Sequence, residues 1–226
     1  MSEPTPLHTA VREPRIAGSG PPPLLVMLHG YGSDEADLLG LADFLDPRLR
    51  VLSFRAPIPL DMGGYAWFPL EIAGAGLAGD YDQAERSLAQ LAGHLDAVLH
   101  EQGHGGGETL VLGFSQGGAM ALELLLARPQ AVTGVAFLSG LWVKQRMPGD
   151  PDVRAAVKGK PVLHTHGTGD PLIPLADARA TRGLLEELEV DLSYREYAMG
   201  HQIDEDCLRD LIEWIGARLE ASVSGG

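Results

Sequence analysis

Residues 109 to 117 read Thr109-Leu110-Val111-Leu112-Gly113-Phe114-Ser115-Gln116-Gly117. A short, nearly unbroken apolar run passes straight into a G-x-S-x-G pentapeptide, and the residues from Gln116 to Ala127 then carry apolar side chains at helical spacing. The first part has the form of a strand buried on both faces and the last that of a helix. The chain must turn sharply between them. Glycines at 113 and 117 supply positions without bulk, which leaves the Ser115 hydroxyl standing above the sheet edge. A serine that merely caps the helix is the competing interpretation. The strand-turn-helix context favours a nucleophile.

Working outward, apolar runs of the same form recur at Leu24 to Leu28, Val51 to Phe54, Val135 to Leu138 and Pro161 to His164. Segments of helical period separate them, near Glu35 to Leu45, Asp80 to Gln102, Gln116 to Ala127, Leu175 to Leu188 and Asp204 to Leu219. In the second, Leu88, Leu91, Leu95, Val98 and Leu99 step by three and four, so they share one face that covers a sheet. Alternating strands and helices predict an α/β fold, a mostly parallel central sheet flanked by helices on both faces. Residues 139 to 160 are too few for a separately packed cap, so the site is expected to be open. The expected organisation is one domain over residues 1–226, with a Pro/Gly-containing N-terminal segment (1–20) and a flexible tail (221–226).

Composition narrows the partners. The chain has 226 residues, 45% of them hydrophobic, and 31 acidic against 17 basic groups, a formal charge of −14. Binding to nucleic acid or to an anionic membrane surface needs clustered Lys and Arg, so small-molecule substrates are expected instead. Cys207 is the one cysteine, which excludes an intrachain disulfide and suits a reducing cytoplasm. The N-terminal residues lack the apolar segment of a secretion signal, and no run is long enough for a membrane span.

A serine nucleophile needs a base, and the base an acid that orients it. For a serine on such a turn the acid and then the histidine follow it in the chain. Of eight histidines, His201 alone leaves room for an acid and a strand after Ser115; it sits in Met199-Gly200-His201, between the strand-like Leu192 to Tyr197 and the last helix. Asp170 lies in Gly167-Thr168-Gly169-Asp170-Pro171, a turn directly after a strand. Asp150, Asp152, Asp177 and Asp191 are better explained as caps or solvated surface residues. His164 and His166 share one face at period two, but without a third ligand at suitable spacing they are expected to be packed or hydrogen-bonded strand residues, and no metal is expected. His94, His100 and His104 are expected on a helix surface or in a turn.

Two N–H donors should hold the negative charge that builds on a reacting carbonyl oxygen. Backbone N–H groups of Gln116, directly after the nucleophile, and Tyr31, in the glycine-rich His29-Gly30-Tyr31-Gly32-Ser33, are the candidates. His29 is expected to brace that loop.

These segments together resemble the phospholipase/carboxylesterase family of α/β-hydrolases, which includes small bacterial carboxylesterases and acyl-protein thioesterases. The resemblance rests on Leu28-His29-Gly30-Tyr31-Gly32, Gly113-Phe114-Ser115-Gln116-Gly117-Gly118, Leu138-Ser139-Gly140, Gly167-Thr168-Gly169-Asp170-Pro171 and Gly200-His201-Gln202. It implies a cofactor-free, often dimeric serine hydrolase of short or medium acyl esters, with Ser115, Asp170 and His201 as triad and Tyr31 and Gln116 as backbone donors. A lysophospholipase or acyl thioesterase would use the same residues, and a non-catalytic binder on the same fold would be expected to lack one. After Trp67-Phe68 the family's polar loop is replaced by the apolar, glycine-rich Pro69 to Leu77, which is expected to be mobile, either flapping over the site or shaping a shallow pocket. Trp67, Phe68, Leu70, Trp142 and Ile173 are the acyl-pocket candidates.

Overall fold

The computed structural model describes residues 6–17, 20–73, 76–104, 107–142 and 146–224. In chain order the strands are β1 (Thr9–Arg12), β2 (Leu24–Leu28), β3 (Arg50–Phe54), β4 (Ile58–Pro59), β5 (Tyr65–Ala66), β6 (Leu70–Ala73), β7 (Gly76–Gly79), β8 (Thr109–Phe114), β9 (Gly134–Leu138), β10 (Pro161–Gly167) and β11 (Asp191–Tyr197). The helices are α1 (Tyr81–Glu101), α2 (Gln116–Ala127), α3 (Pro151–Val157), α4 (Leu175–Glu187) and α5 (Glu205–Ser224). Seven strands form the main sheet in the order β1-β3-β2-β8-β9-β10-β11. All neighbours pair in parallel except β1, which runs antiparallel along the β3 edge.

The continuous apolar runs become central strands because both faces of the sheet are covered. One face carries α1 to α4: Leu91 and Leu95 of α1, Leu124 of α2, Val157 of α3 and Leu185 of α4 pack with Val26, Val111, Val135 and Val162. On the other, α5 brings Leu211, Trp214, Ile215 and Leu219 against Leu25, Leu110, Ala136 and Leu163. At ~25 cal/mol per Å² of apolar area, these two layers are the main favourable term holding the fold.

Local signals account for several boundaries. Asp80 caps α1 by accepting the Gln83 N–H at 2.9 Å, and Asp150 caps α3 by accepting the Asp152 N–H at 2.8 Å, with Pro151 in the first turn. The segment expected as a helix from Glu35 to Leu45 is instead a 3₁₀ turn, Leu38–Asp43. Arg15 donates to the carbonyls of Ala42 and Leu45, tying the end of that turn down at once. Gly40 inside it and Pro47 just beyond also disfavour a regular helix. α5 continues five residues past the expected Leu219, through most of the segment expected as a flexible tail; residues 225 and 226 lie outside the described residues.

The apolar stretch after Phe68 is a β-hairpin, β6 paired antiparallel with β7 from Leu70↔Gly79 to Ala73↔Gly76. Residues 74 and 75, within that stretch, are outside the described part of the chain.

Candidate active site

Three loops at one end of the parallel strands build the site. β8 delivers Ser115 into a strained turn, φ 55° and ψ −119°, a region that costs a non-glycine residue energy and persists only where its surroundings enforce it. Two contacts enforce it. The Ser115 N–H donates to Leu138 O at 2.9 Å, fixing the turn to β9. A Cβ on Gly117 would fall against the Leu28 and His29 carbonyls, and one on Gly113 against the Gly117 carbonyl, so both positions must be glycine for α2 to leave the sheet this closely. Ser115 makes no side-chain capping bond to its helix.

Its Oγ lies instead 2.9 Å from Nε2 of His201, whose Nδ1 is 2.7 Å from Asp170 Oδ2. Asp170 therefore accepts from Nδ1–H, which leaves Nε2 as the lone pair facing the serine hydroxyl. The Asp170 side chain is fully buried. Burial alone would raise its pKa, but the Ile173 and Leu172 N–H groups, 2.9 and 2.8 Å from Oδ1, and the His201 ring more than offset this and hold it below the usual carboxylate value. The acid and histidine loops are locked together: Thr168 N–H donates to Tyr197 O and Gly169 N–H to Met199 O. Gly167 has the Met199 and Gly200 carbonyls where a Cβ would stand.

The loop after β2 passes beside Ser115. A Cβ built on Gly30 would lie 3.4 Å from Ser115 Cβ, which puts the backbone just before Tyr31 against the Ser115 turn. The loop is pinned by Gly32 N–H to Tyr65 O (2.9 Å) and Tyr65 N–H to Ser33 O (2.8 Å). Arg55 lies 4.6 Å over the Tyr65 ring and pairs with Glu35, and its hydrogen bonds lower the Glu35 carboxyl to about 2. His29 donates from Nδ1 to Gly30 O (2.7 Å) and accepts the Ala56 N–H at Nε2 (3.0 Å), so it is a neutral brace with both nitrogens engaged. Burial lowers its pKa further. Gln116 is the first residue of α2, where the backbone N–H has no intrahelical acceptor.

An open apolar cleft of about 700 Å3, mouth included, runs from Ser115. Phe68, Leu70, Trp142 and Ile173 line it. Trp67 does not. It is fully buried, with its Nε1–H on His29 O (2.9 Å) and its ring 5.8 Å from that of His29, so it is core that fixes the neighbouring loop. The Gln116 side chain accepts the Trp67 N–H at 2.8 Å and donates to Phe68 O at 2.7 Å, tying the cleft wall to the turn that carries Ser115. Nothing in the spacing of Gln116 and Trp67 announced that tie, nor the part played by Met120 and Ala119 in the cleft floor.

The remaining histidines sort by burial. His164 is fully buried between Phe137 and Tyr194, ring centroids 4.8 and 4.9 Å away, with neither nitrogen hydrogen-bonded among the described residues. His166 donates from Nε2 to Ile173 O (2.9 Å), closing the loop that carries Asp170. His94 and His104, expected on a helix surface or in a turn, are drawn inward. His104 is buried, and His94 packs on Phe54 and bonds Thr9 Oγ1 at 2.8 Å, because α1 and its C-terminal turn lie against the sheet. Among the described residues no three His, Cys, Asp or Glu side chains gather as a metal site would require.

A seven-stranded, mostly parallel sheet covered on both faces, with a serine on the strand-to-helix turn at its edge, defines an α/β-hydrolase fold. The Phospholipase/Carboxylesterase family model matches residues 13–219, and the chain belongs to that family. The acyl-protein thioesterase 1 of Mycosarcoma maydis is 28% identical over 92% of this chain and 96% of its own. Carboxylesterase SOBER1 of Arabidopsis thaliana is 29% identical over 62% of this chain. The chain spans less than two thirds of the length of the plant relatives it matches. Among solved structures, that of esterase PE8 superposes with a TM-score of 0.81 at 28% identity, covering 94% of this chain and 99% of the other. No helix among the described residues is long and apolar enough to cross a membrane.

Proposed function

We propose that this protein hydrolyses carboxylic esters of short- to medium-chain acids through a serine-linked acyl intermediate. One observation carries the proposal: the hydrogen-bonded line from Ser115 Oγ through the His201 ring to Asp170, at 2.9 and 2.7 Å, opening on an apolar cleft. Ser115 attacks the ester carbonyl while His201 Nε2 takes its proton, and Asp170 stabilises the imidazolium that forms. The N–H groups of Gln116 and Tyr31 hold the oxyanion, each contributing on the order of 10²–10³ in rate. His201 then protonates the departing alcohol, and water activated by the same ring releases the acid. Side chains, backbone and water suffice, so no cofactor takes part. The buried, unpaired Cys207 suits a cytoplasmic protein, and a homodimer, which the family resemblance implies, is checked by sedimentation equilibrium.

A thioester differs from an ester in its leaving group alone. The near full-length similarity to an acyl-protein thioesterase makes thioester cleavage the second reading. p-Nitrophenyl esters from acetate to palmitate, offered to the wild type and to Ser115→Ala, test the first. Turnover of short and medium esters that drops to background in the variant supports it, while equal rates for the two proteins would refute Ser115 as nucleophile. Activity on acyl-coenzyme A in the absence of any on oxygen esters would favour the second.

A further inference from the structure

The cleft beside Ser115 is not lined by apolar residues alone. Its floor follows α2, through Ala119 and Met120, to Glu123. At 1.5 Å of rise per residue, Glu123 stands about 12 Å along the helix axis from the nucleophile. There its carboxylate accepts from Arg146 Nε (2.8 Å) and Nη2 (2.9 Å) and from Trp142 Nε1 (2.8 Å). Arg146 Nη1 reaches Glu85 at 3.0 Å. The side chains of Arg146 and Glu123 are only 17% and 12% exposed, whereas Glu85 is 65% exposed. A largely desolvated ion pair, bonded on one side to the exposed Glu85, therefore lines the same cleft as Ser115.

We propose that the Glu123–Arg146 pair is the specificity-determining end of the cleft, setting an upper limit on acyl length and admitting a terminal hydroxyl where it would otherwise be refused. The inference rests on the ester-hydrolase reading above. An alkyl chain that reaches the pair can go further only by stripping the remaining water from the guanidinium and from Glu85, with no hydrogen bond in return. A longer chain must double back and leave carbons in water, losing about fourfold in binding for each methylene so exposed. A terminal hydroxyl meets different conditions. The three bonds described for Arg146 use three of its five N–H groups, so a donor is within its capacity. The favoured substrates are medium-chain acyl esters, the ω-hydroxylated ones included.

The test uses the full chain and linear alkyl fluorophosphonates from butyl to hexadecyl, with the rate of Ser115 labelling followed by intact mass. The comparison is the wild type against Glu123→Leu/Arg146→Met, since exchanging a whole buried ion pair for apolar side chains is often tolerated where breaking it is not. Wild-type rates should climb to about octyl or decyl and then fall. The double variant should continue to climb, raising the dodecyl-to-octyl ratio about tenfold or more. An unchanged ratio overturns the proposal. The wild type alone supplies a second readout: an ω-hydroxyoctyl probe should label within about threefold of its octyl counterpart, and a penalty of tenfold or more overturns it, whether or not the variant folds. Absence of labelling at every length would overturn the esterase reading and this inference together, whereas labelling with the wrong length profile overturns this one alone.

Discussion

Removing His164 should flatten the dependence of stability on pH. Its imidazole is fully buried between two aromatic rings with neither nitrogen partnered among the described residues. Desolvation first, and the positive potential of His166 and Arg182 after it, lower its pKa to about 3, against the partial opposition of Glu196. In the unfolded chain it titrates near the ordinary histidine value of ~6.5. Between those two values the unfolded state holds a proton that the folded state refuses, so stability is complete above about 6.5 and falls as pH drops toward about 3. The slope is about 1.4 kcal/mol per pH unit, which integrates to about 2 kcal/mol between pH 7 and pH 5. Burial also lowers His29 and His94, so the wild-type loss contains their shares, and the useful quantity is a difference between proteins. His164→Leu removes one titrating group and fills the gap between the rings without unpaired nitrogens, so it should be at least as stable as the wild type at pH 7. Urea unfolding at pH 7, 6 and 5 measures both. The variant should lose about 2 kcal/mol less over that span. Parallel loss in the two proteins would refute the reasoning, because it would mean that His164 takes up its proton without unfolding.

Asp170→Asn keeps the shape of the loop but no longer fixes Nδ1–H of His201, so kcat on a short ester should fall by about 10⁴ while the melting temperature moves little; a loss under tenfold would remove Asp170 from the mechanism. Gly117→Ala places a methyl against the Leu28 and His29 carbonyls, backbone that cannot swing aside. It should cost about 1–3 kcal/mol in thermal or urea unfolding, together with most of the activity, and a variant of wild-type stability would mean that the β2–α2 approach is looser than described.

The fold was legible wherever burial on both faces makes a strand apolar throughout. Leu24–Leu28 and Thr109–Phe114 announce themselves, because parallel strands under two helix layers have no polar face to show. Gln116–Ala127 lies where its periodicity placed it. Small elements were not legible. β1, the β4–β5 and β6–β7 pairs and α3 are four to seven residues long, or shorter, and carry too little periodicity to rise above loop composition.

For the site, the sequence alone determined the residue types and their chain order: a serine between glycines on a strand-to-helix turn, an aspartate and a histidine each on a later loop, and a glycine-rich loop after the first central strand. Those are local properties, since a sharp turn needs glycine wherever it occurs. Only the tertiary structure decided what lies beside what. It set Ser115, His201 and Asp170 at bonding distance across 86 and 31 positions of sequence separation, withdrew Trp67 from the cleft into the core, packed His94 of α1 against Phe54, and put the Glu123–Arg146 pair on the cleft that holds Ser115. A polar or aromatic side chain reads the same in sequence whether it faces water, a partner or a cavity. The difference is made by the groups that packing brings to it from remote parts of the chain, whose distances no local pattern encodes.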